Sequence, residues 1–272
     1  MPEGDTVLLT ATRLDTALRA QRLLRTDFRV PAFATVDLSG QTVRDVIARG
    51  KHLLLRTDGG ITVHSHLKMD GRWDVYARPE VRGIGRHDVR VVLVAERAVA
   101  VGRRLGILEV IPTAQESRIL GHLGPDVLGP DWDAGEALRR LVADPQQQIG
   151  SALIDQRVMA GPGNIYRCEV CFLRGLDPST PVGEVPDPSA VVDLMKRLME
   201  ANRSTGRQVT TGNTRRGSEH WVYGRAGLPC RRCGTRILRD EGIPGQHPIT
   251  YRCPSCQHRR VPKAERGRVS SS

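Results

Sequence analysis

Pro2 and Glu3 are the first residues in this chain whose chemistry is unusual for their place. A proline after the initiator permits removal of Met1, which would leave Pro2 with a free secondary amine titrating near pH ~8. The neutral fraction of such an amine is nucleophilic. It can attack a sugar C1′ or an aldehyde and form an iminium, the covalent strategy that lysine uses in Schiff-base enzymes. Glu3 lies beside it and could carry a proton to or from the sugar. Many proteins begin Met-Pro without any such chemistry, so Met1-Pro2-Glu3-Gly4 takes its meaning from the rest of the chain.

The cysteines fall in Cys-x-x-Cys pairs: Cys168/Cys171, Cys230/Cys233 and Cys253/Cys256. The last two pairs, separated by residues 234–252, present four thiolates in two tight turns, the donor set of a tetrahedral zinc site. With every position filled by protein, the expected ion is structural, one per chain, and holds a β-hairpin too small to bury a core of its own. Arg231, Arg232, Arg236, Arg239, Arg252, Arg259 and Arg260 place this hairpin against phosphates, or else it only caps the fold. Cys168 and Cys171 have no second pair to complete a metal site, and burial as small apolar residues is the expected reading.

A third constellation is Leu153-Ile-Asp-Gln-Arg-Val-Met-Ala-Gly-Pro-Gly-Asn-Ile-Tyr166. A helix ending near Met159, a sharp Gly161-Pro162-Gly163 turn and an N-cap at Asn164 would expose backbone N–H groups suited to a phosphate. A plain helical hairpin with an asparagine cap has the same pattern.

These groups need elements to position them. Residues 4–20 read as an amphipathic helix with Leu8, Leu9, Leu14 and Leu18 on its apolar face. Between 41 and 112 short β-branched runs alternate with Gly and Asp, the spacing of a sandwich or barrel. Gly-Pro breakers at 124–125 and 129–130 mark a linker, and helices are expected over 134–142, 149–158, 164–174 and 188–203. Lys plus Arg exceed Asp plus Glu by 41 to 30, a net charge of +11 that favours a polyanionic partner. No apolar run of ~18 residues and no signal-peptide core follows Met1, so the expectation is a cytoplasmic, nucleoid-associated protein with no membrane partner.

Met-Pro-Glu-Gly, Arg49-Gly-Lys51, Asp155-Gln156, Ala160-Gly-x-Gly-Asn164-Ile-Tyr, Tyr223-Gly-Arg225 and the two-pair cysteine hairpin together resemble the formamidopyrimidine-DNA glycosylase/endonuclease VIII family. These motifs span the chain, and the likeness is greatest to the actinobacterial endonuclease VIII branch. The resemblance implies an α+β multidomain fold: an N-terminal catalytic β-sandwich domain with flanking helices (1–112), a linker (113–133), a helix–two-turn–helix DNA-binding domain (134–222), a C-terminal four-cysteine zinc-finger β-hairpin (223–262) and a disordered tail (263–272). It implies a monomeric base-excision-repair DNA glycosylase and abasic-site lyase acting by β,δ-elimination on damaged DNA. Pro2 is then the nucleophile, Glu3 the acid/base, Lys51 a phosphate contact and Asn164 a backbone contact. Met69, Arg103 and Leu105 match positions that fill the void left by the extruded base, and residues 212–217 match a mobile loop over that base.

The sequence departs from the family at two points. Pro248 stands where a phosphate-clamping arginine is usual, leaving Arg239 or His247 as substitutes, and Leu105 replaces a stacking phenylalanine. The first predicts softer, more salt-sensitive phosphate binding, and Leu105 with the acidic Asp70 predicts some tolerance of single-stranded or bubble DNA. Oxidised pyrimidines are the expected lesions, with oxidised purines, or a catalytically inactive damaged-DNA-binding zinc protein, as alternatives.

Overall fold

The computed structural model describes residues 2–77, 84–242 and 249–258. The chain opens with helix α1 (Gly4–Leu18) and continues through eight strands: β1 (Leu23–Phe28), β2 (Val43–Arg49), β3 (His52–Thr57), β4 (Ile61–His66), β5 (Arg72–Ala77), β6 (Val89–Ala95), β7 (Ala98–Arg103) and β8 (Ile107–Pro112). They form two four-stranded antiparallel sheets, ordered β1-β6-β7-β5 and β2-β3-β4-β8. Leu23, Phe28, Val91, Leu93 and Ala100 of the first sheet share one core with Val43, Val46, Leu53, Leu55, Val63 and Leu108 of the second. Helix α1 adds Val7, Ala11, Leu14 and Leu18 to that core. β1 lies outside the stretch whose alternation reads as strand, because its Leu-Leu-Arg-Thr-Asp-Phe is polar in the middle and buries only its two ends.

A short helix α2 (Glu116–Leu120) leads to four helices: α3 (Ala134–Val142), α4 (Ile149–Ala152), α5 (Asn164–Leu173) and α6 (Pro188–Asn202). Two start at their own aspartates: Asp133 accepts the N–H of Glu136, and Asp187 accepts that of Ala190. The helix expected over 149–158 stops at Ala152. Beyond it the Asp155 carboxylate accepts the Arg157 N–H, a local turn that competes with helix.

Helix α5 is the spine of the C-terminal half. Tyr166, Val170 and Cys171 pack into a core with α3, α4 and α6, while Cys168 and Phe172 pack against Val222, Cys230, Ile237 and Cys253. The two α5 cysteines are both fully buried and belong to different cores, as small apolar residues rather than a metal or redox pair. The chain ends in a two-stranded antiparallel hairpin, β9 (Leu238–Asp240) with β10 (Thr250–Arg252). The tail 263–272 lies outside the described residues.

Candidate active site

Glu3 immediately precedes α1 yet acts on another helix. One carboxylate oxygen accepts the N–H of Gly163 and the other that of Ile165, both at 2.7 Å. Helix α5 has no capping side chain of its own, and its unpaired N-terminal donors and positive dipole end are met by this carboxylate. Glu3 is fully buried, and burial raises its pKa to about 7, against the lowering effect of the Lys51 charge and the two backbone bonds. Lys51 is itself pushed below the usual lysine range by burial, opposed by the Glu3 charge. The pair is therefore a buried acid and a half-buried amine, both driven towards neutrality, next to a partly exposed Pro2.

The turn carrying Lys51 is fixed from the linker. Arg49 donates both ways to Asp131 at 2.6 Å, and the Gly50 N–H meets the Asp126 carboxylate at 2.7 Å. Gly50 has φ +56°, and a Cβ there would stand 2.9 Å from the Ala160 Cβ. Gln156 braces the opposite turn, taking the Gly161 N–H and donating to the Pro162 carbonyl, each at 3.0 Å.

Other sequence-predicted residues are placed differently from expectation. Asn164 is the first residue of α5 and not its cap. Its amide donates to the Ile249 carbonyl at 2.8 Å, joining the helix to the C-terminal hairpin. The N–H groups expected to be free for phosphate at this turn are those held by Glu3. Arg103 is 3% exposed and ion-paired with Asp74 at 2.8 Å and Asp88 at 3.2 Å, so its side chain is committed to the fold and does not project to fill a void. Leu105 is likewise a core residue. Met69, 63% exposed, projects freely, and Arg104 beside the buried pair is exposed with φ +47°. Arg239 is exposed and pairs with Glu241 at 2.5 Å, while His247 and Pro248 lie outside the described residues.

Two groups gave no sequence signal strong enough to single out. His52 Nδ1 lies 2.9 Å from His64 Nε2, and His64 Nδ1 lies 2.8 Å from the Glu109 carboxylate, a chain of contacts starting next to Lys51. Burial pulls His52 down to about 3 and His66 to about 4, so both are neutral at physiological pH. The Tyr166 hydroxyl and the Gln208 amide both donate to buried Asp5, at 2.8 and 3.0 Å. The partners in each group come from separate segments of the chain.

The sulfur atoms of Cys230, Cys233, Cys253 and Cys256 all lie within 4.8 Å of one another, with Cys233–Cys253 at 3.5 Å and Cys230–Cys256 at 3.9 Å. A tetrahedron with zinc–sulfur bonds of ~2.3 Å has sulfur–sulfur edges of ~3.8 Å, so the four thiols fit such an ion.

Comparison with known proteins agrees with this arrangement. Residues 1–107 match the formamidopyrimidine-DNA glycosylase N-terminal domain. The chain is 52% identical over 97% of its length to a probable endonuclease 8 2 of Streptomyces coelicolor, covering 96% of that protein. It is 49% identical over 94% of its length to the DNA-(apurinic or apyrimidinic site) lyase Nei2 of Mycolicibacterium smegmatis, covering 99% of it. In fold it superposes on the Lactococcus lactis formamidopyrimidine-DNA glycosylase bound to DNA containing an abasic site, with a TM-score of 0.78 at 23% identity, covering 94% of this chain and all of the other.

Proposed function

The chain belongs to the formamidopyrimidine-DNA glycosylase/endonuclease VIII family, and we propose on that footing that it is a bifunctional DNA glycosylase and abasic-site lyase of base excision repair, acting through Pro2. The observation that carries the reading is Glu3: the residue next to the nucleophilic terminus is a buried carboxyl that still holds a proton near neutral pH, at the mouth of α5 and under the influence of Lys51.

Removal of Met1 frees the Pro2 amine. Its lone pair forms the bond to C1′ as the bond from C1′ to the base breaks, and the base leaves with the proton that the alkylated amine gives up. Glu3 gives its proton to the ring oxygen, opening the sugar as C1′ becomes the iminium carbon. Loss of a C2′ proton expels the 3′ phosphate and a second elimination expels the 5′ phosphate, leaving a gap; hydrolysis of the iminium then regenerates the amine. Lys51 holds the phosphate beside the lesion, and its low pKa when buried fits a group that recovers its charge against a phosphate. Extruding the base is required because C1′ is otherwise inaccessible in a duplex.

Oxidised pyrimidines are the proposed lesions. Of the three residues matched to void-filling positions only Met69 is exposed, which supports activity on single-stranded as well as duplex DNA. The proposed organisation is a catalytic domain over 1–112, a linker over 113–133, a helix–two-turn–helix domain over 134–222 and a zinc finger over 223–262. The zinc is structural: bound thiolates would tie the hairpin to Phe172 of α5 and thus to the base of the catalytic site. We propose a monomer associated with the nucleoid in the cytoplasm. Its charge of +11 supports binding to DNA, and no helix among the described residues is long and apolar enough to cross a membrane.

Oligonucleotides carrying 5-hydroxyuracil or 8-oxoguanine, single- and double-stranded, test the reading. Cleavage of 5-hydroxyuracil strands in both forms, ahead of 8-oxoguanine, is expected. Preferential cleavage of 8-oxoguanine in duplex would place the protein with the purine-specific enzymes.

A further inference from the structure

The second sheet carries a line of polar side chains on the face turned from the sandwich core. Leu53, Leu55, Val63 and Leu108 point into that core, so His52 of β3, His64 of β4 and Glu109 of β8 lie on the opposite face. His64 is 1% exposed and stands directly across the strand pair from Glu109, whose side chain is 42% exposed. The Glu109 carboxylate meets His64 Nδ1 at 2.8 Å, and His64 Nε2 meets His52 Nδ1 at 2.9 Å, with the two rings 21° from parallel. The ring of His66 completes the line, at 87° to that of His52 with centroids 5.3 Å apart.

The carboxylate end decides the order of donors. A carboxylate only accepts, so the proton shared with His64 belongs to Nδ1. With that single ring proton His64 has only a lone pair at Nε2, and it takes the Nδ1 proton of His52. A further proton on His52 is opposed by burial first, then by His64, His66, His122 and Lys68 around it. His66 is fixed similarly: its Nδ1 accepts the Lys68 N–H at 3.0 Å, which leaves its own proton on Nε2.

His52 is also the residue that closes the Lys51 turn. It pairs with Arg49 across the turn and with His66 across the neighbouring strand. One ring therefore joins the turn bearing Lys51 to the strand end that leads to Lys68 and Met69.

We propose that Glu109, His64 and His52 are positioning residues for Lys51: the carboxylate sets the tautomer of His64, His64 sets that of His52, and the uncharged pair of rings holds the Lys51 turn without placing a second cation behind it. The inference rests on the glycosylase reading given above, in which Lys51 holds the phosphate beside the lesion. The chain acts through the phosphate and not through the base, so its loss slows excision and abasic cleavage alike.

Glu109→Leu removes the acceptor at a partly exposed position, Glu109→Gln keeps an acceptor oxygen without the charge, and His64→Leu interrupts the chain. Imidazole nitrogen NMR on the full chain reads the tautomers. Single-turnover rates at saturating enzyme, on a 5-hydroxyuracil strand and on an abasic strand, read the function, each well below the melting temperature of the variant. Wild type is expected to carry one proton on Nδ1 of both His64 and His52, and Glu109→Leu to move the His64 proton to Nε2. Rates should fall roughly tenfold on both strands in Glu109→Leu and His64→Leu, with DNA affinity within about threefold of wild type. Glu109→Gln should keep the wild-type tautomers and rates within about threefold of wild type. A wild-type His64 protonated on Nε2, tautomers that shift without any change in rate, or a Glu109→Gln as slow as Glu109→Leu would overturn the inference and leave the glycosylase reading intact. A wild-type protein inert on both strands, with the tautomers as expected, would instead strike the glycosylase reading and with it the role given to the chain.

Discussion

Gly4 and Gly161 touch backbone to backbone. The Gly4 N–H donates to the Gly161 carbonyl at 2.9 Å, and a Cβ on Gly4 would stand 2.9 Å from the Gly161 Cα and 3.0 Å from the Met199 methyl. This contact fixes the start of α1 against the turn before α5, and with it the reach of Pro2. Gly4→Ala forces that seam apart, at a cost of about 1–3 kcal/mol. The melting temperature should fall, and Schiff-base formation at an abasic site should fall much further than the loss of folded protein explains. A variant that melts lower but traps normally would detach the seam from catalysis.

Glu3 makes the activity and the stability depend on pH in defined senses. Its folded pKa of about 7 lies above the ordinary 4.5, so between these values the folded state holds a proton that the unfolded state has released. Its contribution to stability therefore falls as pH rises across that window, by at most about 3 kcal/mol. His52 and His66, lowered to about 3 and about 4 from 6.5, act oppositely, gaining stability as pH rises towards 6.5. The clean observable is the stability of wild type relative to Glu3→Gln, which should decline from pH ~4.5 to ~7 and then level off.

For catalysis, Glu3 must be protonated and the Pro2 amine neutral. The rate of base excision should rise towards the amine pKa near ~8 and fall as Glu3 ionises, giving a bell whose alkaline limb vanishes in Glu3→Gln. An unchanged alkaline limb in that variant would assign it to another group.

Arg103, Leu105 and Met69 should behave as three different kinds of residue. Arg103→Ala removes the pairs to Asp74 and Asp88, leaves Asp88 to Arg86 and Arg104, and should lower the stability of the sheet. Leu105→Ala opens the core of the sheets and should cost about 2–4 kcal/mol. Met69→Ala should leave stability within about 0.5 kcal/mol and lower cleavage of duplex more than of single strand. Chemical denaturation and paired single- and double-stranded assays distinguish these outcomes.

Metal removal should act through α5. Stripping the four thiolates with a strong chelator is expected to release one zinc per chain, unfold the hairpin β9–β10 and expose Phe172 and Cys168. DNA affinity and excision should both be lost, and thiol titration should register the freed cysteines. Full activity after complete removal of the metal would show that the hairpin stands without it.

Much of this was legible in sequence where the signal is local. Alternation in 41–112 announced strands, and two Cys-x-x-Cys turns announced a four-sulfur cluster. The misreadings arose where a distant partner decides. Asn164 has the character of a cap, but the cap is Glu3, which reaches the Gly163 N–H from 160 residues away, and nothing local to either residue announces the other. Arg103 sits in a loop-like Gly-Arg-Arg-Leu-Gly, yet Asp74 and Asp88 draw it inside.

The most direct measurement is borohydride trapping on an abasic oligonucleotide, followed by mass mapping of the adduct, with Pro2→Gly and Glu3→Gln alongside wild type. The account predicts that Met1 is absent, that DNA is bonded to the Pro2 nitrogen, and that Glu3→Gln is severely impaired in base excision. An adduct on a lysine, or a wild-type protein that retains Met1 and binds abasic DNA without forming any adduct, would contradict it.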